Sequence, residues 1–244
     1  MAARDIYKEI DSDTNKSDIT SRIFNPTLSK REHNTLPYDS ISIEEPLHLL
    51  KYKDNNFFKK ANSLLLERRL STAINRPKKF FISLTDFKHK NRLCIPFYNL
   101  NGDIIYYQTR ALDESTPKYL CKNGEKELYG ISSLKAECSY IFIFEGPIDS
   151  MFVVNGVGVL GLNITQHQQD ILNRFPFHKK IWITDNQNID QAAKEKTEVL
   201  CKKKSPVFIW PKNINVKDFN ELAVLLKQDS ISHEFILKHT ANLH

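Results

Sequence analysis

The 244-residue chain has four cysteines, Cys94, Cys121, Cys138 and Cys201, and no two of them form a CxxC pair. That spacing argues against a zinc ribbon or finger built from this chain alone and leaves reduced structural or surface thiols as the simpler reading. Long apolar runs are missing too. No stretch reaches the roughly 18 uninterrupted apolar residues of a membrane-spanning helix. The opening segment, MAARDIYKEIDSDTNKSD, is charged throughout and lacks the apolar centre of a secretory signal. There is no internal repeat and no low-complexity tract. Together these absences lead to the expectation of a soluble, cytoplasmic protein with no membrane partner.

What is present is the composition of a folded protein, with 41% hydrophobic and 11% aromatic residues. The net charge of +6 is unevenly spread: residues 1–45 carry −3, residues 46–138 carry +8 and residues 139–244 carry +1. A basic middle segment beside a nearly neutral one suits a one-sided surface for a polyanion, and it equally suits a solvated lysine-rich face.

Hydrophobic spacing divides the chain. Residues 1–35 read as a flexible polar leader with one short helix at Arg4–Ile10. In NNFFKKANSLLLERRLS, apolar Phe57, Phe58, Ala61, Leu64, Leu65 and Leu66 recur as on an amphipathic helix. RLCIPFYNLNGDIIYYQTRAL reads as a hairpin, with strands Leu93–Tyr98 and Ile104–Gln108 around a glycine-containing turn. After Ser139 the pattern changes to four short apolar runs, YIFIF, GVGVLGL, KIWIT and PVFIW. Helical candidates separate them at Asp149–Val154, Gln166–Arg174 and Gln191–Lys203. Strands alternating with helices imply a parallel sheet, and continuous apolar strands imply one covered on both faces. The fold class expected is α/β: an α+β N-terminal part over residues 36–138, then an α/β part over 139–228 with a mainly parallel sheet flanked by helices. Residues 229–244 are expected to close the chain as a helix or tail.

In a parallel α/β sheet, ligands gather at the carboxyl ends of the strands. Glu145 ends the first apolar run and Asp185 follows the third; the elements between them allow both to point into one crevice. Asp149 lies just beyond Glu145, and Asp218 follows the fourth run. Converging carboxylates repel one another unless a cation neutralises them, and hard oxygen ligands at a hydrated site favour Mg²⁺ or Mn²⁺. Asp149 and Asp218 also suit helix N-terminal positions. A second constellation, in QTRALDESTPKYLCKNGEKELYG, interleaves Arg110, Lys118, Lys122 and Lys126 with Tyr119 and Tyr129. Such residues can hold phosphates and stack on bases, or simply form an exposed loop anchored by tyrosines.

FEGPIDSMF, an EGxxD motif after an apolar strand, resembles the first motif of the TOPRIM fold of primases, topoisomerases and some nucleases. WITDNQ sits where that fold carries Asp-x-Asp. RLCIPFYNLNGDIIYYQTRAL, PKYL and ELYGI resemble, in order, a segment of DnaG-type primases, and EGPIDS, DN, IWP and KDFNEL most resemble primases of T-even-type tailed bacteriophages. The resemblance runs from about Leu36 to the end of the chain.

It implies the catalytic core of a DNA primase: a basic subdomain over 36–138 and a TOPRIM-like domain over 139–228. Glu145, Asp185 and Asp149 then resemble the catalytic acids, with Glu145, Asp185, Gln187 and Asp218 around the metal. Arg110, Lys118, Tyr119, Lys122 and Lys126 resemble nucleotide- or nucleic-acid-binding residues. The implied partners are a single-stranded DNA template, ribonucleoside triphosphates and a replicative helicase, in the cytoplasm of an infected bacterium if the protein is viral. The chain carries no ligands for the zinc module usual in this family, so no zinc is expected; the resemblance implies either a truncated or minimal primase or a separate polypeptide that supplies the module. Gln187 stands where related phage enzymes place a carboxylate; an amide brings no charge, which implies weaker Mg²⁺ binding. Two alternatives stay open: another TOPRIM enzyme such as a nuclease, and a catalytically weakened module that binds DNA or helicase.

Overall fold

Asn55 begins the first long helix: its side chain accepts from Phe58 N at 2.9 Å, satisfying an amide that the helix itself leaves unpaired. The helix, α2 (Asn56–Glu67), buries Phe58, Ala61 and Leu65 and follows a short α1 (Pro46–Lys51) that buries nothing. Both belong to the computed structural model, which describes residues 36–161 and 163–243. The leader expected over 1–35, and the short helix expected at Arg4–Ile10, lie outside the described residues.

A fully antiparallel sheet follows, in the order β1 (Ile41–Ser42), β2 (Phe81–Ser83), β3 (Arg92–Tyr98), β4 (Ile104–Ala111) and β5 (Tyr119–Cys121). The hairpin expected from the sequence is β3–β4, with β4 running three residues further than read. Asn99 shapes its turn, its Oδ1 accepting from Asn101 N and Asp103 N, each at 2.9 Å. Gly102 supplies the left-handed conformation there, with φ +86°.

The second sheet has the order β10 (Thr240–Ala241), β9 (Val207–Phe208), β8 (Lys179–Ile183), β6 (Tyr140–Phe144) and β7 (Gly156–Gly158). Strands β7, β6, β8 and β9 are parallel, as the alternation implies, and β10 closes one edge antiparallel. The connections are α3 (Pro147–Ser150), α4 (Gln166–Asn173), α5 (Gln191–Lys202), α6 (Phe219–Leu226) and α7 (His233–Lys238). Continuous apolar strands serve two cores. Phe142 and Phe144 of β6 enter a large cluster shared with the antiparallel sheet, whereas Ile141 and Ile143 enter a smaller one with Val157, Val159, Ile171 and Leu172. That is the double covering expected of a parallel sheet.

Three elements differ from the sequence reading. The helix expected at Asp149–Val154 is α3, which starts earlier because Pro147 suits the first helical position. It stops at Ser150, and Asn155 soon turns the chain with φ +58° while donating from Nδ2 to Tyr140 O and Lys135 O. The runs GVGVLGL and PVFIW yield strands of only three and two residues. Leu160 breaks the first with φ +64°. In the second, Trp210 N is drawn to the side chain of Gln187. The strand order switches sides at β6, with β7 added on one side and β8 on the other, so the crevice of the sheet opens at the carboxyl end of β6.

Candidate active site

Glu145 occupies that carboxyl end. Its turn is held against β7 so tightly that a Cβ on Gly158 would lie 2.8 Å from Pro147 N and 2.9 Å from Gly146 C, a spacing that only glycine permits. Asp149 follows in the first turn of α3. Asp185 leaves β8 in a loop stapled to the segment preceding α6. Asn186 N donates to Lys217 O at 2.8 Å, and Asn186 Nδ2 donates to Ile214 O at 3.0 Å and Val216 O at 2.8 Å. Asp218 caps α6, accepting from Glu221 N at 2.8 Å, and the neighbouring amide, Asn220 N, donates to Asp149 Oδ1 at 3.1 Å. The first turn of α6 thus lends its free amides and positive dipole end to two of the acids. Both therefore sit at a helix N-terminus, and both remain within the acid group.

Each of two acids feels the others. Burial, then Asp218 and Asp185, raise the Asp149 carboxyl well above the ordinary range, opposed by Asn220 N–H and Arg68. Burial, then Glu145 and Asp218, push Asp185 up to about 6, with Lys217 opposing and Asp190 adding. Two lysines oppose this charge: Lys196 Nζ lies 3.6 Å from Glu145 Oε1, and Lys217 Nζ lies 3.8 Å from Asp185 Oδ2. On the parallel-sheet side of the crevice four acids meet two ammonium groups, so acids are in surplus there.

The basic strand residues border the acids. Arg110 is buried on β4 and donates from Nη1 to the hydroxyl of its cross-strand partner Tyr119 at 2.6 Å. Burial raises the Tyr119 phenol, with Arg110 opposing and Asp149 adding. Burial lowers the exposed Lys118, helped by Arg110, Arg68 and Lys217 and opposed by Asp218. Arg68, at the end of α2, donates from Nη1 to Asn220 Oδ1 at 2.8 Å, and Asn220 Nδ2 returns a bond to Arg68 O at 2.8 Å. The end of α2 and the β4–β5 region therefore contribute a cationic wall, with Arg68 near Asp149, Lys118 near Asp218 and Arg110 beside Lys118.

Two expected basic residues stand elsewhere. Lys126 Nζ donates to Leu160 O at 3.0 Å, in the loop whose Gly161 N bonds Glu145 O at 2.9 Å; it braces that loop. Lys122 faces Glu127, and its carbonyl accepts from Tyr106 OH at 2.9 Å. Gln187 uses both ends of its amide on one backbone unit: Nε2 donates to Trp210 O at 3.1 Å and Oε1 accepts from Trp210 N at 3.2 Å. Its oxygen is engaged by Trp210. Arg68, Lys196, Lys217, Asn186 and Asn220 were not singled out from the sequence. Asn186, Lys217 and Asn220 lie within the DN and KDFNEL segments, whereas Arg68 and Lys196 carry no local signal.

Among the described residues no group of three or more His, Cys, Asp or Glu side chains is placed to hold a metal ion by itself. The donors at the crevice are carboxylate oxygens, with those of Glu145 and Asp185 partly open to solvent. Such a set fits a hard cation that keeps several waters and is held by one or two carboxylates plus phosphates.

The chain has the α/β fold of the RNA polymerase domain of DnaG-type primases. It matches that domain of the Mycobacterium tuberculosis primase, in a structure with a double-stranded DNA oligomer bearing a 6-nucleotide overhang, with a TM-score of 0.57. Identity is 16%, over 79% of this chain and 77% of that one. A DNA primase domain from Pseudomonas aeruginosa matches with a TM-score of 0.50 and 18% identity, over 79% of this chain and 63% of that one. In sequence, the chain is similar to the DNA primase of Enterobacteria phage T4: 29% identical over 157 residues, which is 62% of this chain and 43% of that protein. The chain thus spans less than half the length of that curated relative, and no family profile matches it. No described helix is long and apolar enough to cross a membrane.

Proposed function

We propose that this chain is the catalytic part of a DNA primase, making short RNA primers on single-stranded DNA from ribonucleoside triphosphates. The observation that carries the reading is the apposition of two charged walls. Glu145, Asp149, Asp185 and Asp218 gather at the crevice of the parallel sheet, and Arg68, Arg110 and Lys118 border them. In this reading residues 36–138 form the basic subdomain and 139–228 the TOPRIM-like catalytic domain, with 229–244 closing its edge.

The chemistry is an in-line displacement: the 3′-hydroxyl of one nucleotide gives up its proton to water, its oxygen bonds to the α-phosphorus of the next, and the bond from that phosphorus to pyrophosphate breaks. Glu145, Asp185 and Asp218 would hold Mg²⁺ or Mn²⁺, which supplies charge stabilisation at the attacking and leaving oxygens. Asp149 keeps α6 in register through Asn220 N–H and adds negative charge behind the metal acids. Arg110 and Lys118 hold phosphate oxygens of nucleotide or template, Arg110 with its guanidinium pre-oriented by Tyr119. Lys126 secures the loop beside Glu145, and Lys122 is left as a more distant contact for the template backbone. Gln187 acts as a brace between the Asp185 loop and Trp210. A replicative helicase and a separate zinc-module protein are the expected partners, in the cytoplasm of the infected host.

The test uses the purified chain with a single-stranded template, labelled ribonucleotides and Mg²⁺ or Mn²⁺. Short RNA products that vanish in Glu145→Gln support the reading. Template degradation would replace it with a nuclease. Template binding without product, even with helicase and a zinc-module protein added, would leave a non-catalytic module.

A further inference from the structure

The inner face of α5 meets the sheet through Ala193, Thr197 and Leu200, and the Thr197 hydroxyl bonds that of Thr184 at 2.8 Å. Between these apolar or hydrogen-bonded positions the helix inserts Lys196. Its side chain is only 14% exposed, and its Nζ has no hydrogen-bond partner. The stem covers Trp182, with Nζ 5.1 Å from the ring centroid, and the nearest anion is Glu145 at 3.6 Å. Lys217 offers the contrast. Its side chain is 53% exposed and can turn to water when the crevice is filled. Lys196 has no such freedom.

An ammonium group placed this way loses hydration without gaining a hydrogen bond, which is costly in a helix face that a methionine or leucine would fill. What offsets the cost is the field of the acid group. We infer that Lys196 is a positioning residue: a tethered counter-charge that holds the Glu145 carboxylate and weakens the site for a divalent ion alone. Metal is then retained firmly only when nucleotide phosphates bring further negative charge. The inference rests on Glu145 and Asp185 being metal acids, and it concerns how that site is kept from filling prematurely.

The test compares parent, Lys196→Met and Lys196→Arg in two measurements that need no turnover. The first is Mn²⁺ affinity, read by electron paramagnetic resonance of the free ion. The second is thermal midpoint in EDTA. Lys196→Met keeps the apolar stem over Trp182; it is expected to bind Mn²⁺ about tenfold more tightly, as removal of one nearby positive charge implies. Its midpoint in EDTA should fall by about 3 °C, since Glu145 is left uncompensated. Lys196→Arg should stay within about twofold of the parent in affinity. Adding Glu145→Gln should erase the midpoint difference between Lys and Met at position 196, because the pair is the source of the coupling. Unchanged or weaker Mn²⁺ binding by Lys196→Met, or a midpoint loss that persists with Glu145→Gln, would overturn the inference. If neither parent nor Lys196→Met binds Mn²⁺, the metal reading of Glu145 fails, while the coupling in EDTA still decides whether Lys196 is its counter-charge.

Discussion

The two sheets treat buried polarity differently. In the antiparallel sheet, polar groups turned inward have partners from the chain itself, Ser42 Oγ excepted. Thr109 meets His89 Nδ1 at 2.9 Å, Arg92 donates to Pro117 O at 2.7 Å, and Arg110 donates to Tyr119 OH. At the crevice of the parallel sheet, four acids are answered by two lysines at 3.6 and 3.8 Å, beyond hydrogen-bonding distance. One wall is satisfied as folded. The other holds a charge surplus, which costs stability and is useful where a cation and phosphates bind.

The sharpest way to test that contrast is to neutralise one member of the surplus. Asp185→Asn is expected to cut primer synthesis on the order of 1,000-fold, the scale of losing an electrostatic catalytic group. Its metal-free thermal midpoint should be unchanged or higher, because repulsion is relieved. A comparable loss of midpoint and activity would make Asp185 an ordinary structural acid. In the satisfied wall the same kind of change should cost both properties. Arg110→Ala is expected to weaken template or nucleotide binding about tenfold and to destabilise the fold by about 1–2 kcal/mol, leaving Tyr119 OH without its donor. Equilibrium binding and thermal melts check this. The smallest effect is expected at Gln187. Gln187→Asp should change Mn²⁺ affinity by less than about twofold, since one negative charge gained is offset by a loop that loses both bonds to Trp210. A tenfold gain would place position 187 in the metal shell, as its sequence position suggests.

Local pattern made much of this legible. The apolar run Tyr140–Phe144 announced a doubly covered strand, the spacing through Phe58, Ala61 and Leu65 announced α2, and Asn-Leu-Asn-Gly-Asp announced the hairpin turn. Glu145 and Asp185 were legible because an acid right after such a strand has little structural reason to be there. The remainder depends on distant backbone. Lys217 and Asp218 reach Asp185 because Asn186 binds carbonyls at 214 and 216, a link with no sequence periodicity. Lys196 is one of several lysines on α5, and only the helix phase turns it inward. Lys122 and Lys118 look alike in composition, yet they stand at opposite ends of β5, one by Glu127 and one by Arg110.

In the proposed function the acid group holds the metal. The most direct test of this replaces Mg²⁺ with Fe²⁺, generates hydroxyl radicals at the bound ion and maps the breaks in the polypeptide. Cuts near residues 145, 185 and 218 that excess Mg²⁺ suppresses are the expected result. Cuts confined to other segments, or cuts that Mg²⁺ does not suppress, would contradict it.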